Sequence, residues 1–185
     1  LNKNIFIIAE TACSHDGSLS RLKKLVKGAS VAGADAVQFQ IWKHENMVTP
    51  KHPNKQKLKA LELSELEWEN IFKFTRKNYP KLQIIACIYD ISALKVCEKL
   101  KVDSYKIHTS DLGNYELLNE IAKTKKKVDL SIGGSKINEI KKALKYLKKN
   151  EVWLMYGYQL FPTKPANLNL LQIGDLSIVV VYDKI

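Results

Sequence analysis

Short apolar runs recur along this chain, each ending in a polar residue and each followed by a stretch with helical character. Ile5-Phe6-Ile7-Ile8-Ala9 ends at Glu10. The others are Ala36-Val37-Gln38-Phe39-Gln40, Asp103-Ser104-Tyr105-Lys106-Ile107 and Val128-Asp129-Leu130-Ser131-Ile132-Gly133. Continuous apolar runs of this length fit parallel strands buried on both faces. Strand, polar tip and helix, repeated in one direction, is how a (β/α) barrel assembles an active site at the carboxyl ends of its strands. Glu10, Gln38, Gln40, Lys106 and Ser131 are therefore the first candidate site residues.

Along the chain, strands are expected near 4–9, 35–41, 82–88, 103–107, 127–132, 151–156 and 176–182. Between the first two, Leu22, Leu25, Val26 and Ala29 share one face of a helix over 20–32. Residues 43–62 contain Pro50 and Pro53 and read as a long polar loop. Ser64-Glu65-Leu66-Glu67 is a capping box that opens a helix presenting Trp68, Ile71 and Phe72. Further helices are expected over 92–100, 114–123 and 135–149, the last with Ile137, Ile140, Leu144 and Leu147 in helical spacing and Ser135 as its cap. A short helix or turn follows Pro162 and Pro165. Right-handed crossovers leave an open doubly wound sheet or a closed barrel. No GxGxxG follows the first strand, which disfavours a dinucleotide fold. A complete barrel needs eight strands and about 250 residues, so seven strands fall about one unit short.

With 185 residues, 45% of them hydrophobic, the chain can bury a sizeable core. No apolar run approaches the ~20 residues of a membrane span, and Lys3 is followed by only five apolar residues before Glu10, which does not match a signal peptide. Cys13, Cys87 and Cys97 show no metal-ligand or CxxC spacing. They read as reduced thiols of a cytoplasmic protein. Lys and Arg number 30 against 19 Asp and Glu, a net +11. These cations are spread over the polar faces of the helices without interleaved aromatics, so no nucleic-acid partner is expected. A basic surface would still steer small acidic substrates.

Several segments together resemble the sialic acid (N-acetylneuraminate) synthase family, with its legionaminic and pseudaminic acid relatives. They are Ile8-Ala9-Glu10, Ser14-His15-Asp16-Gly17, Ala32-Gly33-Ala34-Asp35-Ala36-Val37-Gln38-Phe39-Gln40 and Leu63-Ser64-Glu65 with Trp68. Tyr105-Lys106-Ile107-His108-Thr109-Ser110-Asp111, Leu130-Ser131-Ile132-Gly133, Gln159-Leu160-Phe161-Pro162-Thr163 and Asn167-Leu168-Asn169 continue the series in family order. The resemblance implies an α/β fold of the (β/α)8 TIM-type barrel class, incomplete at the C-terminus. It implies one barrel domain over 1–185, without the small antifreeze-like C-terminal domain of many family members. It also implies a transferase that condenses phosphoenolpyruvate with an N-acylated mannosamine-type sugar. The products are phosphate and a nine-carbon 2-keto acid, and a divalent metal (Mn or Mg) assists.

The resemblance assigns roles that suit the chemistry of each side chain. Lys106 is a point cation for the phosphate or carboxylate of phosphoenolpyruvate, and a lysine inside an apolar strand needs a partner. Thr109 and Ser131 supply hydroxyls to phosphate oxygens. Glu10 contacts the amino sugar and can move a proton at its aldehyde. Gln40, Gln159 and His15 complete the substrate-binding set, although a lone histidine in such a loop more often fixes the loop.

The departures from the family pattern are as informative. Gln38 stands where the family usually has a lysine. Ala86-Cys87-Ile88-Tyr89-Asp90 replaces a strand end bearing a small hydroxyl. Tyr156 and Lys184 stand where two metal-binding histidines are expected. A protonated lysine cannot bind a divalent ion and a phenol is a poor ligand near neutral pH. The 185 residues alone are thus expected to show little synthase activity, and a catalytically inactive binding or regulatory relative is the alternative. The apolar strand edge at Ile178-Val179-Val180-Val181 is expected to be covered by further chain or by a second copy in a homo-oligomer, a dimer.

Overall fold

The computed structural model describes residues 5–160 and 162–174. The expected strand over 176–182, and Lys184, lie outside the described residues. The described residues form two compact units, divided after Lys106.

In the first unit the strands are β1 (Ile8–Glu10), β2 (Ala36–Ile41), β3 (Gln83–Ile88) and β4 (Ser104–Ile107, which runs one residue past the boundary), in sequential spatial order. β1 pairs parallel with β2, with Glu10 opposite Gln38. β2 pairs parallel with β3, with Gln38 opposite Ile85 and Gln40 opposite Cys87. The helices are α1 (Leu19–Val31), α2 (His44–Met47), α3 (Lys55–Leu61), α4 (Glu65–Asn78) and α5 (Ile91–Lys99). One device recurs at the strand starts. The Asp35 carboxylate accepts from the Ile7 N–H at 2.7 Å, and the Asp103 carboxylate accepts from the Ile84 N–H at 2.7 Å. Each aspartate ties the start of its own strand to the neighbouring strand, satisfying a backbone donor at the sheet's amino end.

The two faces of β2 differ. Val37, Phe39 and Ile41 point to the helices, where Phe39 lies 5.6 Å from Phe72 and 5.8 Å from Trp68, centroid to centroid. Gln38 and Gln40 point the other way, as the two-residue period of a strand requires. The capping box forms as expected: the Ser64 N–H donates to the Glu67 carboxylate at 2.8 Å, and the Glu67 N–H donates to Ser64 Oγ at 3.3 Å. The polar stretch 43–62 is not a loop throughout. It holds the two short helices α2 and α3, which bury none of their own side chains and so give no apolar period to read. His44 joins them, its ring Nδ1 2.6 Å and its backbone N–H 2.8 Å from the Glu62 carboxylate.

In the second unit β5 (Lys127–Ser131) pairs parallel with β6 (Val152–Met155), with Ser131 opposite Met155. The helices are α6 (Tyr115–Thr124) and α7 (Ile137–Tyr146), and single 3-10 turns occupy Thr109–Asp111 and Pro165–Asn167. α7 starts two residues later than expected. Its cap is Lys136, not Ser135, because the Glu139 carboxylate accepts from the Lys136 N–H at 2.7 Å. Ile140, Ala143 and Leu147 form its buried side, while Ile137 is exposed. No helix among the described residues is long and apolar enough to cross a membrane.

Candidate active site

In the first unit, Glu10 is the last residue of β1 and Lys106 lies near the end of β4. Lys106 Nζ is 3.6 Å from Glu10 Oε2. This ion pair resolves the cost of a lysine in a strand whose Tyr105 and Ile107 are fully buried. The other Glu10 oxygen accepts from the Ala12 N–H at 3.0 Å, so the carboxylate is held from both sides.

The loop after β1 is wound tightly. Ala12 and Asp16 adopt positive φ angles of 42° and 47°. Thr11 Oγ1 donates to the Gln38 carbonyl at 2.9 Å, and His15 Nδ1 accepts from the Gly17 N–H at 3.1 Å. The His15 ring is 1% exposed, edge-on to Trp68 at 6.5 Å. Burial pushes its pKa below the ordinary histidine value. The structure thus places His15 under the loop, where it fixes the path that carries Glu10.

Gln38, in register with Glu10, is 1% exposed, and among the described residues its Oε1 finds no hydrogen-bond partner. Gln40 is half-buried opposite Cys87. The Cys87 and Tyr89 side chains hydrogen bond, and burial followed by the neighbouring cysteine drives the Tyr89 phenol far up, with Glu10 and Cys13 adding smaller pushes. Glu10, Cys13, Cys87 and Tyr89 therefore share one electrostatic neighbourhood with Lys106. Among the described residues, Cys13, Cys87 and Cys97 form no disulfide.

In the second unit, Gln159 Nε2 donates to Thr109 Oγ1 at 3.2 Å. This joins two residues fifty positions apart that the motifs had singled out separately. The contact depends on Gly133. A Cβ there would lie 2.6 Å from the Gly157 carbonyl and 2.8 Å from Gln159 Nε2. Ser131 ends β5 half-buried. A cavity of about 890 Å³ opens beyond the ends of β5 and β6, lined in part by Lys136, Tyr156, Tyr158, Asn169 and Gln172. That volume accommodates a small polar ligand.

Tyr156 follows β6, and its hydroxyl donates to Gln172 Oε1 at 2.9 Å. Its phenol is thus engaged as a donor. Among the described residues no three His, Cys, Asp or Glu side chains come together as a metal-ion donor set. The donor chemistry at Tyr156 does not fit a divalent ion.

Two clusters had not been singled out from the sequence. One is the grouping of Cys13 with Cys87 and Tyr89, which the sequence marked only separately, as thiols and as a departure from the family's strand end. The other is Lys127 with Asp129, 3.3 Å apart, where Asp129 is 1% exposed and Lys127 Nζ sits 3.7 Å over the Trp153 ring. An aspartate inside an apolar strand is a signal that a partner must be near.

Comparison with known proteins agrees with the motif resemblance. The chain is 36% identical over 92% of its length to the protein MJ1065 of Methanocaldococcus jannaschii, covering 51% of that protein. It is 31% identical over 94% of its length to an N,N'-diacetyllegionaminic acid synthase of Campylobacter jejuni, covering 57% of it. The chain thus spans about half the length of the curated relatives it matches. Its fold superposes on the crystal structure of the N-acetylneuraminic acid synthetase of Leptospira borgpetersenii with a TM-score of 0.90. Identity is 26%, over 96% of this chain and 62% of that one. A model of the NeuB family matches residues 25–179. On these matches and the ordered motifs that precede them, the chain belongs to the NeuB family, the family of the sialic, legionaminic and pseudaminic acid synthases.

Proposed function

We propose that this chain is the (β/α)8-type barrel portion of a cytoplasmic nonulosonic acid synthase. The reaction joins the methylene carbon of phosphoenolpyruvate to the aldehyde carbon of an N-acylated mannosamine-type sugar; a water adds at C2 of the former phosphoenolpyruvate, the bond from C2 to the phosphate oxygen breaks, and phosphate leaves as the 2-keto group forms. The observation that carries the reading is the Glu10–Lys106 pair, 3.6 Å apart at the carboxyl ends of β1 and β4. A carboxylate that can exchange a proton with the sugar oxygen and a cation that suits an anionic co-substrate are the two chemical functions this condensation asks of side chains. In this reading Glu10 is the catalytic residue and Lys106 binds phosphoenolpyruvate. Thr109 and Ser131 donate to phosphate oxygens, Gln40 and Gln159 bind substrate, and His15 supports them by fixing the loop after β1. A metal ion is given no step, because the donor set around Tyr156 does not suit one.

A phosphate-release assay on the full-length protein with phosphoenolpyruvate and N-acetylmannosamine tests this reading. Release that requires both substrates and falls about a hundredfold or more in Glu10→Gln is expected. Equal release by Glu10→Gln would contradict it.

A second reading, a barrel relative that binds the substrates without turning them over, is favoured by Tyr156 at the position where the resemblance expects a metal-binding histidine. Phosphoenolpyruvate binding with no turnover, together with manganese binding gained by a Tyr156→His, Lys184→His double variant, would select this second reading.

A further inference from the structure

We propose that the cavity between the end of β2 and the first turns of α4 and α5 is a second small-molecule site, which takes a small carboxylate with an apolar body. It has a volume of about 250 Å³, and Ile41, Trp42, Lys43, Ser64, Trp68 and Ser92 are among the residues that line it. Ile41 belongs to the helix-facing side of β2. The cavity therefore lies behind the strand that presents Gln38 and Gln40 and is separate from the Glu10 site.

The chemistry of the ligand follows from which lining groups are already engaged. Two acids, Glu62 and Glu65, also line the cavity. Glu62 is held by His44 at 2.6 Å, and Glu65 pairs with Lys99. The Ser64 hydroxyl donates to the Glu67 carboxylate at 2.7 Å, and the Ser92 hydroxyl to the Asp90 carboxylate at 2.6 Å. Two donors are left. The Trp42 indole is 5% exposed, and among the described residues its N–H finds no acceptor. An indole N–H can only donate, and a buried donor without a partner is costly. Lys43, next to it, is exposed and forms no ion pair among the described residues. Both donors call for an acceptor, and the amino ends of α4 and α5 add the positive ends of two helices. The Trp42 and Trp68 rings, with Ile41 and Val96, call for an apolar body. A small aryl carboxylate meets both demands. Inorganic phosphate, with no apolar part, meets only the first.

The test uses the full-length protein labelled with ¹⁵N at its tryptophan indoles, with phenylacetate as the probe and 2-phenylethanol as its neutral counterpart. The indole N–H signals are followed by NMR, and the Trp42 signal is assigned from Trp42→Phe. Phenylacetate should bind saturably, with a dissociation constant of about 1 mM or lower, and should shift the Trp42 signal. 2-Phenylethanol should bind several-fold more weakly. Lys43→Gln, an exposed substitution, should weaken phenylacetate about fivefold. Trp42→Phe, which keeps an aromatic ring and removes the donor, should weaken it several-fold. Lys59→Gln, exposed on α3 and outside the lining, should leave binding unchanged. Absence of saturable binding overturns the proposal, and so does a shift that leaves Trp42 unmoved. Equal affinity for 2-phenylethanol, or unchanged affinity in Lys43→Gln, overturns the anionic ligand. Equal weakening by Lys59→Gln overturns it in favour of a diffuse basic field. The proposal does not depend on the condensation: phenylacetate affinity should be the same in Lys106→Ala and in the presence of phosphoenolpyruvate. Loss of binding in either case would place the probe in the Glu10 site and overturn a second site.

Discussion

His15 links the site to pH through its own burial. Its pKa is lowered in the folded chain by loss of solvation, so folding favours the neutral ring. The unfolded chain binds the proton more tightly, and stability rises with pH across this titration. The contribution is complete above about pH 6.5 and is lost as pH falls from there toward the lowered folded value. Urea midpoints measured at pH 7.5 and 5.5 should therefore differ more in the native protein than in His15→Asn; an equal difference would contradict this placement. A second prediction at this scale concerns Gly133. With a backbone carbonyl 2.6 Å from its missing Cβ, Gly133→Ala should cost about 2–3 kcal/mol in denaturant titration and release Gln159 from Thr109. Residue types at strand ends were legible in the sequence because chemistry narrows them: a glutamate and a lysine inside apolar strands need each other, and they are found together. The meeting of Cys13 with Cys87 and Tyr89 was not legible, because only the folded loop after β1 brings Cys13 into their neighbourhood.

Elements were readable wherever a side chain had to be buried. α1 and α4 show a clear helical period because Leu22, Val26, Trp68, Ile71 and Phe72 go into the core. α2 and α3 bury nothing, so their sequence carries turn residues and lysines with no period, and 43–62 reads as loop. The start of α7 was displaced for a related reason. Ser135 is the better intrinsic cap, but Glu139 reaches back to the Lys136 N–H and the helix begins there. Two measurements belong to this scale. Ser64→Ala removes the reciprocal bonds at the start of α4 and should lower stability by about 1 kcal/mol. Gly17→Ala meets both a φ of +71° and the Ala60 carbonyl. It should cost about 2–3 kcal/mol in denaturant titration.

At the scale of the molecule, the alternation of buried strand and amphipathic helix identified the α/β class because parallel strands covered on both faces leave no other composition open. The family followed from motif order, and the matches to whole relatives agree, although the chain spans about half of them. The proposed condensation requires an anion site, and Lys106 is the residue proposed to build it. The most direct measurement is a calorimetric titration of phosphoenolpyruvate into the full-length protein and its Lys106→Ala variant. Saturable binding by the native protein, weakened at least about tenfold in the variant as loss of a charge-assisted contact requires, is the predicted result. Equal affinity in the two proteins, or no binding to the native one, would contradict the account.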